Sequence, residues 1–103
     1  MGKYDIFPKT PSFGKDFKCF LQGLNDFQKR KLMTTLAKCP KGSSPNSVDN
    51  MIGRVEKKGK FWQYYAPSGN RVIYDVVNKP IKMVIVQFAG NHNDAGIWLR
   101  NNI

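Results

Sequence analysis

Arg71, His92 and a group of lysines upstream of an aromatic strand are the side chains of this 103-residue chain that could move protons or hold phosphate. Lys57, Lys58 and Lys60 precede Trp62, Tyr64 and Tyr65, and Trp98 follows His92. Lys and Arg neutralise phosphate, aromatic rings stack on unpaired bases, and a histidine beside an arginine can pass a proton while the arginine holds developing charge. The set fits RNA chemistry. Each member also has a plainer reading: Trp62, Tyr64 and Trp98 as core or rim, the lysines as a solvated face, and His92, within Gly90-Asn91-His92-Asn93, as a turn residue. Arg71 stands apart. It begins a strand otherwise made of Val, Ile, Tyr and Val, where a guanidinium must reach water, a carboxylate or a ligand. Asp75, two pleats on along the same face, is the carboxylate within reach.

Other chemistries lack their residues. No glycine-rich phosphate loop, no GxSxG elbow and no carboxylate pair beside a histidine is present. Neither Cys19 nor Cys39 has a partner at CxxC spacing and His92 is the sole histidine, so a zinc site is not supported. The 17 Lys and Arg against 7 Asp and Glu give a net charge of +10. That exceeds what solubility needs and points to a polyanionic partner: nucleic acid, an anionic membrane surface or an acidic protein. Both cysteines fall in helical segments, where two inert buried thiols are expected and a single bridge is the alternative. Met1-Gly2-Lys3-Tyr4-Asp5 leads to Pro8 rather than to an apolar leader, and no run has the length of a transmembrane helix. A cytoplasmic, reducing home is the expectation.

Phe61 to Trp98 organises the elements that must position these residues. Phe61 to Tyr65, Arg71 to Val77 and Ile81 to Phe88 read as three strands of an antiparallel meander. Pro67-Ser68-Gly69-Asn70 and Asn78-Lys79-Pro80 supply the reversals. Tyr4 to Phe7 is a candidate first strand, at a sheet edge or beside the last strand. Thr10-Pro11 announces a helix, and Phe13, Phe17, Phe20, Leu21 and Leu24 line one face of it. Asn25-Asp26 with Gln28 caps a second helix, running to Cys39, with Phe27, Leu32, Met33, Leu36 and Ala37 on its apolar side. Pro40 to Ser47 reads as an exposed loop, and Met51 to Lys60 brings Arg54, Lys57, Lys58 and Lys60 up to the sheet between turns at Gly53 and Gly59. The expectation is one domain over residues 1–103. Its class is α+β: a two-helix hairpin packed on one face of a mostly antiparallel four-stranded sheet, in the order β-α-α-β-β-β with room for a short C-terminal turn or helix. Arg71, His92 and Trp98 should then share one concavity, because the start of one strand lies beside the end of its hairpin neighbour.

In this order the residues resemble the RelE/ParE superfamily of toxins from type II toxin–antitoxin systems. Asn70-Arg71-Val72-Ile73-Tyr74-Asp75-Val76 is similar to the family's YR(V/I)(I/L)Y strand, Gly90-Asn91-His92-Asn93-Asp94 with Trp98 to its GHR.D(V/I)Y ending, and Phe61-Trp62 to its residues before the hairpin. The resemblance implies a basic cleft on the sheet face away from the helix hairpin. For the RelE-like branch it implies a ribosome-associated mRNA endonuclease that works without metal or other cofactor. There the 2′-OH attacks its own phosphate and leaves a 2′,3′-cyclic phosphate. Arg71 falls on the strand arginine that stabilises the phosphorane, His92 on an Arg or His near the leaving group, and Trp98 on an aromatic. Gln63 and Tyr65 stand where members often carry Lys or Arg, so Lys57, Lys58 and Lys60 would have to substitute. Glu56 is the carboxylate nearest the place of a general base. The implied partners are a cognate acidic antitoxin and mRNA on the ribosome, with no membrane. Two alternatives remain: a ParE-like toxin that inhibits DNA gyrase without nuclease activity, and a basic RNA-binding module without catalysis.

Overall fold

The computed structural model describes residues 3–42 and 53–102. Along the chain run strand β1 (Asp5–Pro8), helices α1 (Pro11–Gln22) and α2 (Asp26–Lys38), strands β2 (Val55–Lys58), β3 (Phe61–Tyr65), β4 (Asn70–Val77) and β5 (Met83–Asn91), and helix α3 (His92–Asn102). Both helix starts use the caps their sequence announces. The Thr10 hydroxyl accepts from the Phe13 N–H, and Asn25 and Gln28 exchange side-chain and backbone bonds at 2.8 and 3.1 Å.

The fold is α+β, and its sheet differs in detail from the expectation. Five strands stand in the order β1-β5-β4-β3-β2, all neighbours antiparallel except β1, which runs parallel to β5. The additional strand is β2, in the segment expected only to carry lysines toward the sheet. It joins β3 through Gly59-Lys60, and Gly59 takes a φ of +63° that L side chains avoid. The second difference is α3. Where a short turn or helix was allowed for, an 11-residue helix packs on the sheet.

Alternation then assigns every strand side chain to one of two faces. Val72 and Tyr74 of β4, Tyr64 of β3, and Val84 and Val86 of β5 meet Phe17, Leu32 and Leu36 of the helix hairpin in the main core. Phe61 and Ile73 point the other way and pack with Ala95 of α3, flanked by Phe88, Trp98 and Leu99. A bulge at Gln87 of β5, between Phe88 and Val86, which pair with the consecutive Ile73 and Tyr74 of β4, keeps these two faces in register along the two strands.

Some local expectations need correcting. Pro40, expected to open an exposed loop, is buried, and its carbonyl accepts the hydroxyl of the fully buried Tyr74. Ser43 to Ser47 of that loop lie outside the described residues, as do Met1, Gly2 and Met51. Both cysteines are free, but neither is fully buried: Cys19 is exposed because it sits off the phenylalanine stripe of α1, and Cys39, just past the end of α2, is half-buried. No helix among the described residues is long and apolar enough to cross a membrane.

Candidate functional site

The face that carries α3 is also the face of Arg71. Arg71 opens β4 opposite Tyr65 of β3 on one side and Gly90 of β5 on the other. Its guanidinium carbon lies 4.2 Å from the centre of the Tyr65 ring, and its Nη1 donates to the Asn70 carbonyl at 2.9 Å. The half-buried cation therefore has an aromatic face and a carbonyl, but no carboxylate among the described residues. Asp75 does not pair with it, although alternation puts both on this face.

The neighbouring strand explains where the acid went. β2 lies at the sheet edge with Glu56 opposite Gln63 and Lys58 opposite Phe61, so Glu56 and Lys58 share Arg71's face. The Tyr65 hydroxyl donates to Glu56 Oε1 at 2.6 Å, Lys58 Nζ stands 3.3 Å from the same oxygen, and Arg54 Nη2 stands 3.5 Å from Oε2. The Tyr65 hydrogen bond does most to hold the Glu56 carboxyl below the usual carboxylate range, with Lys58 and Arg54 adding to it against the opposing effect of burial. Tyr65 shifts the other way. Burial first, and then the Glu56 carboxylate, raise its phenol above the ordinary value, so the proton stays on the tyrosine and the charge on the glutamate.

His92 enters from the end of β5. Asn91 caps α3 by accepting from the Asp94 N–H at 2.8 Å, which makes His92 the first helical residue, exposed at the helix N-terminus. The turn between β3 and β4 lies against it. A Cβ built on Gly69 would stand 3.7 Å from His92 Nδ1, and Gly69 has a φ of +76°. Because Asn70 pairs with Asn91 and Arg71 with Gly90, His92 and Arg71 flank the same strand end.

Trp98 does not join them. It packs edge-on against Phe61, with ring centres 5.0 Å apart, and Phe61 lies at the opposite end of β3 from Tyr65, roughly 13 Å along the strand. Of the three residues expected to share one concavity, Arg71 and His92 lie at the same end of the β4–β5 pair and Trp98 lies away from it. Trp98 clamps α3 to the sheet.

The sheet also divides the aromatic and basic set proposed for RNA. Lys58 and Tyr65 share the face of Arg71, whereas Lys57, Trp62 and Tyr64 point to the helix-hairpin face. Tyr64 is fully buried and cannot serve as a stacking platform; burial pushes its phenol up to about 12. Trp62 packs against that core under Lys57, whose Nζ lies 4.9 Å from its ring. Lys60 sits at the β2–β3 turn over the Phe61 ring, at 5.2 Å. Arg54, Glu56 and Gln63 are the members that sequence reasoning passed over or ranked low. For Arg54 and Glu56 the signal was an alternation, Arg54-Val55-Glu56-Lys57-Lys58, which puts three charged residues on one face of a strand.

Arg54, Glu56, Lys58, Tyr65, Arg71 and His92 can therefore present one ionised carboxylate, three cations and one imidazole along one face. Among the described residues no group of three or more His, Cys, Asp or Glu could hold a metal ion. No family model matches the chain, and no curated protein and no solved structure matches it either.

Proposed function

We propose that the chain is the toxin of a type II toxin–antitoxin pair, of the RelE/ParE kind, and a cytoplasmic, ribosome-associated endonuclease that cuts mRNA through its own 2′-hydroxyl. The observation that carries this reading is Arg71: a half-buried guanidinium with no carboxylate partner among the described residues, held over Tyr65 between a fixed carboxylate and an imidazole. A cation left without a counter-charge in such a place is available to charge that arrives with a substrate.

The reaction balances with the groups in place. Glu56 takes the proton of the 2′-OH, and the freed oxygen bonds to phosphorus. The charge gained by the phosphoryl oxygens falls to Arg71, with Lys58 and Arg54 beside it. The bond from phosphorus to the 5′-oxygen breaks, and protonated His92 gives that oxygen its proton. One product ends in a 2′,3′-cyclic phosphate and the other begins with a 5′-OH. Lys58 occupies the role that the resemblance gives to strand cations at Gln63 and Tyr65, and it does so from β2.

Pure RNA binding through exposed aromatics has less support, since Tyr64 is in the core and Trp62 packs against it. The test is incubation with translating ribosomes and mapping of the RNA ends. Cyclic-phosphate ends are expected. Intact mRNA after long incubation would leave gyrase inhibition or binding alone.

A further inference from the structure

Gln63 is the one buried polar side chain among the described residues, at 6% exposure. It stands mid-strand in β3, opposite Glu56 of β2 and Ile73 of β4, on the face of Arg71 and Lys58. Among the described residues nothing hydrogen-bonds to its amide. Yet no fully enclosed side-chain nitrogen or oxygen there lacks a partner, so the amide opens at the surface of that face. A primary amide offers two donors and two acceptor lone pairs, and the described residues use none of them.

A phosphate would use only the donors of such a group, and Arg54, Lys58 and Arg71 already supply donors around it. A group that uses both halves must present a donor and an acceptor side by side, which is what the edge of a nucleobase does. Adenine matches an amide best, through its N6 amino group and the adjacent ring nitrogen. We propose that Gln63 reads a base, adenine by preference, next to the cut phosphate. The proposal rests on the nuclease reading above and adds sequence selection to it.

Two variants and a titration test it. RNA ends are mapped on translating ribosomes for the wild type, Gln63→Leu and Gln63→Glu. The wild type should favour adenine at one position beside the cut. Gln63→Leu should flatten that preference by about 5-fold to 150-fold, the range of one bidentate base contact, while still yielding cyclic-phosphate ends. Gln63→Glu keeps an acceptor and loses the donors, so the preference should move toward cytosine, whose N4 amino group donates. If both variants keep the wild-type distribution of cut sites, whatever their overall rate, the base contact is overturned.

The titration separates this proposal from the nuclease reading. In nitrogen-15-labelled wild type, the side-chain amide resonances of Gln63, assigned by their loss in Gln63→Leu, are followed on adding AMP, GMP, CMP or UMP. AMP should move them most. That result in a chain that cuts no RNA would retain the base contact and sink the nuclease, whereas a chain that cuts RNA while no nucleotide moves the amide would sink the base contact alone.

Discussion

Arg71→Met separates a functional cation from a structural one, because the contacts of Arg71 are few enough to add up. The substitution removes a guanidinium 4.2 Å from the Tyr65 ring, worth about 0.5–1 kcal/mol at a partly exposed site. It also removes a hydrogen bond to the Asn70 carbonyl that water can largely replace, worth about 0.5–1 kcal/mol net. Methionine keeps an aliphatic stem on the ring, and a sulfur against an aromatic returns about 0.3–1.5 kcal/mol. Stability should therefore fall by no more than about 1.7 kcal/mol. Catalysis should fall by about 100-fold or more, the effect of removing one preorganised stabiliser of transition-state charge. Urea denaturation gives the first quantity, and single-turnover cleavage of ribosome-bound mRNA gives the second. A stable variant that cuts at the wild-type rate would remove Arg71 from the mechanism. A loss of stability of about 3 kcal/mol would make Arg71 a structural residue and refute the reasoning from its missing carboxylate.

Trp98→Ala should destabilise the fold by about 2–3 kcal/mol, a partial form of the cost of emptying a buried tryptophan site, while Trp98→Phe keeps the edge contact with Phe61 and should cut RNA nearly as well as the wild type. Loss of cutting in Trp98→Phe at unchanged stability would return Trp98 to the active site. His92→Gln should slow cleavage by about 100-fold to 10,000-fold, with little change in the denaturation midpoint, since the side chain is exposed. Glu56 is held below its ordinary value of 4.5 in the folded chain, so folding gains from its ionised form above that value and loses the gain as pH falls through it; Glu56→Gln should flatten this acid limb of the stability curve, as read by urea titrations at a series of pH values. Tyr64 has the opposite sign. Its phenol is raised from 10 to about 12, so unfolded chains lose that proton first and stability should fall between those values, a fall that Tyr64→Phe should reduce.

The helix hairpin was legible because its signals are local: the Thr10-Pro11 start, the Asn25 and Gln28 capping box, and phenylalanines at helical spacing each act within one or two turns. The meander was legible for the same reason, since Pro67-Ser68-Gly69 takes the positive φ values its residues tolerate. β2 escaped because Val55-Glu56-Lys57-Lys58 has one apolar residue. As an edge strand it is held by β3 rather than by its own pattern. α3 was visible only as a possibility, with Ala95, Trp98 and Leu99 at helical spacing but diluted by Gly96 and three asparagines. The site was legible in Arg71 and His92, which motif order supplies. Glu56 could be named as a nearby carboxylate, but its contact with Tyr65 could not, because nothing in the sequence says that β2 comes alongside β3 and brings a carboxylate to the tyrosine read as a stacking ring.

The parallel pairing of β1 with β5, Asp5 beside Met83, bears on when the protein becomes able to act. Chain closure across so long a stretch is slow and cannot begin until β5 has been made. Before then the hairpin lacks Val84 and Val86 to pack against, β4 lacks the strand that lines up Gly90 with Arg71, and His92 has not been synthesised. Chains fold as they emerge, N-terminal parts first, but here the first strand can only wait. If the proposed activity holds, a nascent copy is harmless to the message it is read from. Cutting would then start only after β5 and α3 have been made, and this delay would protect the template during its own translation.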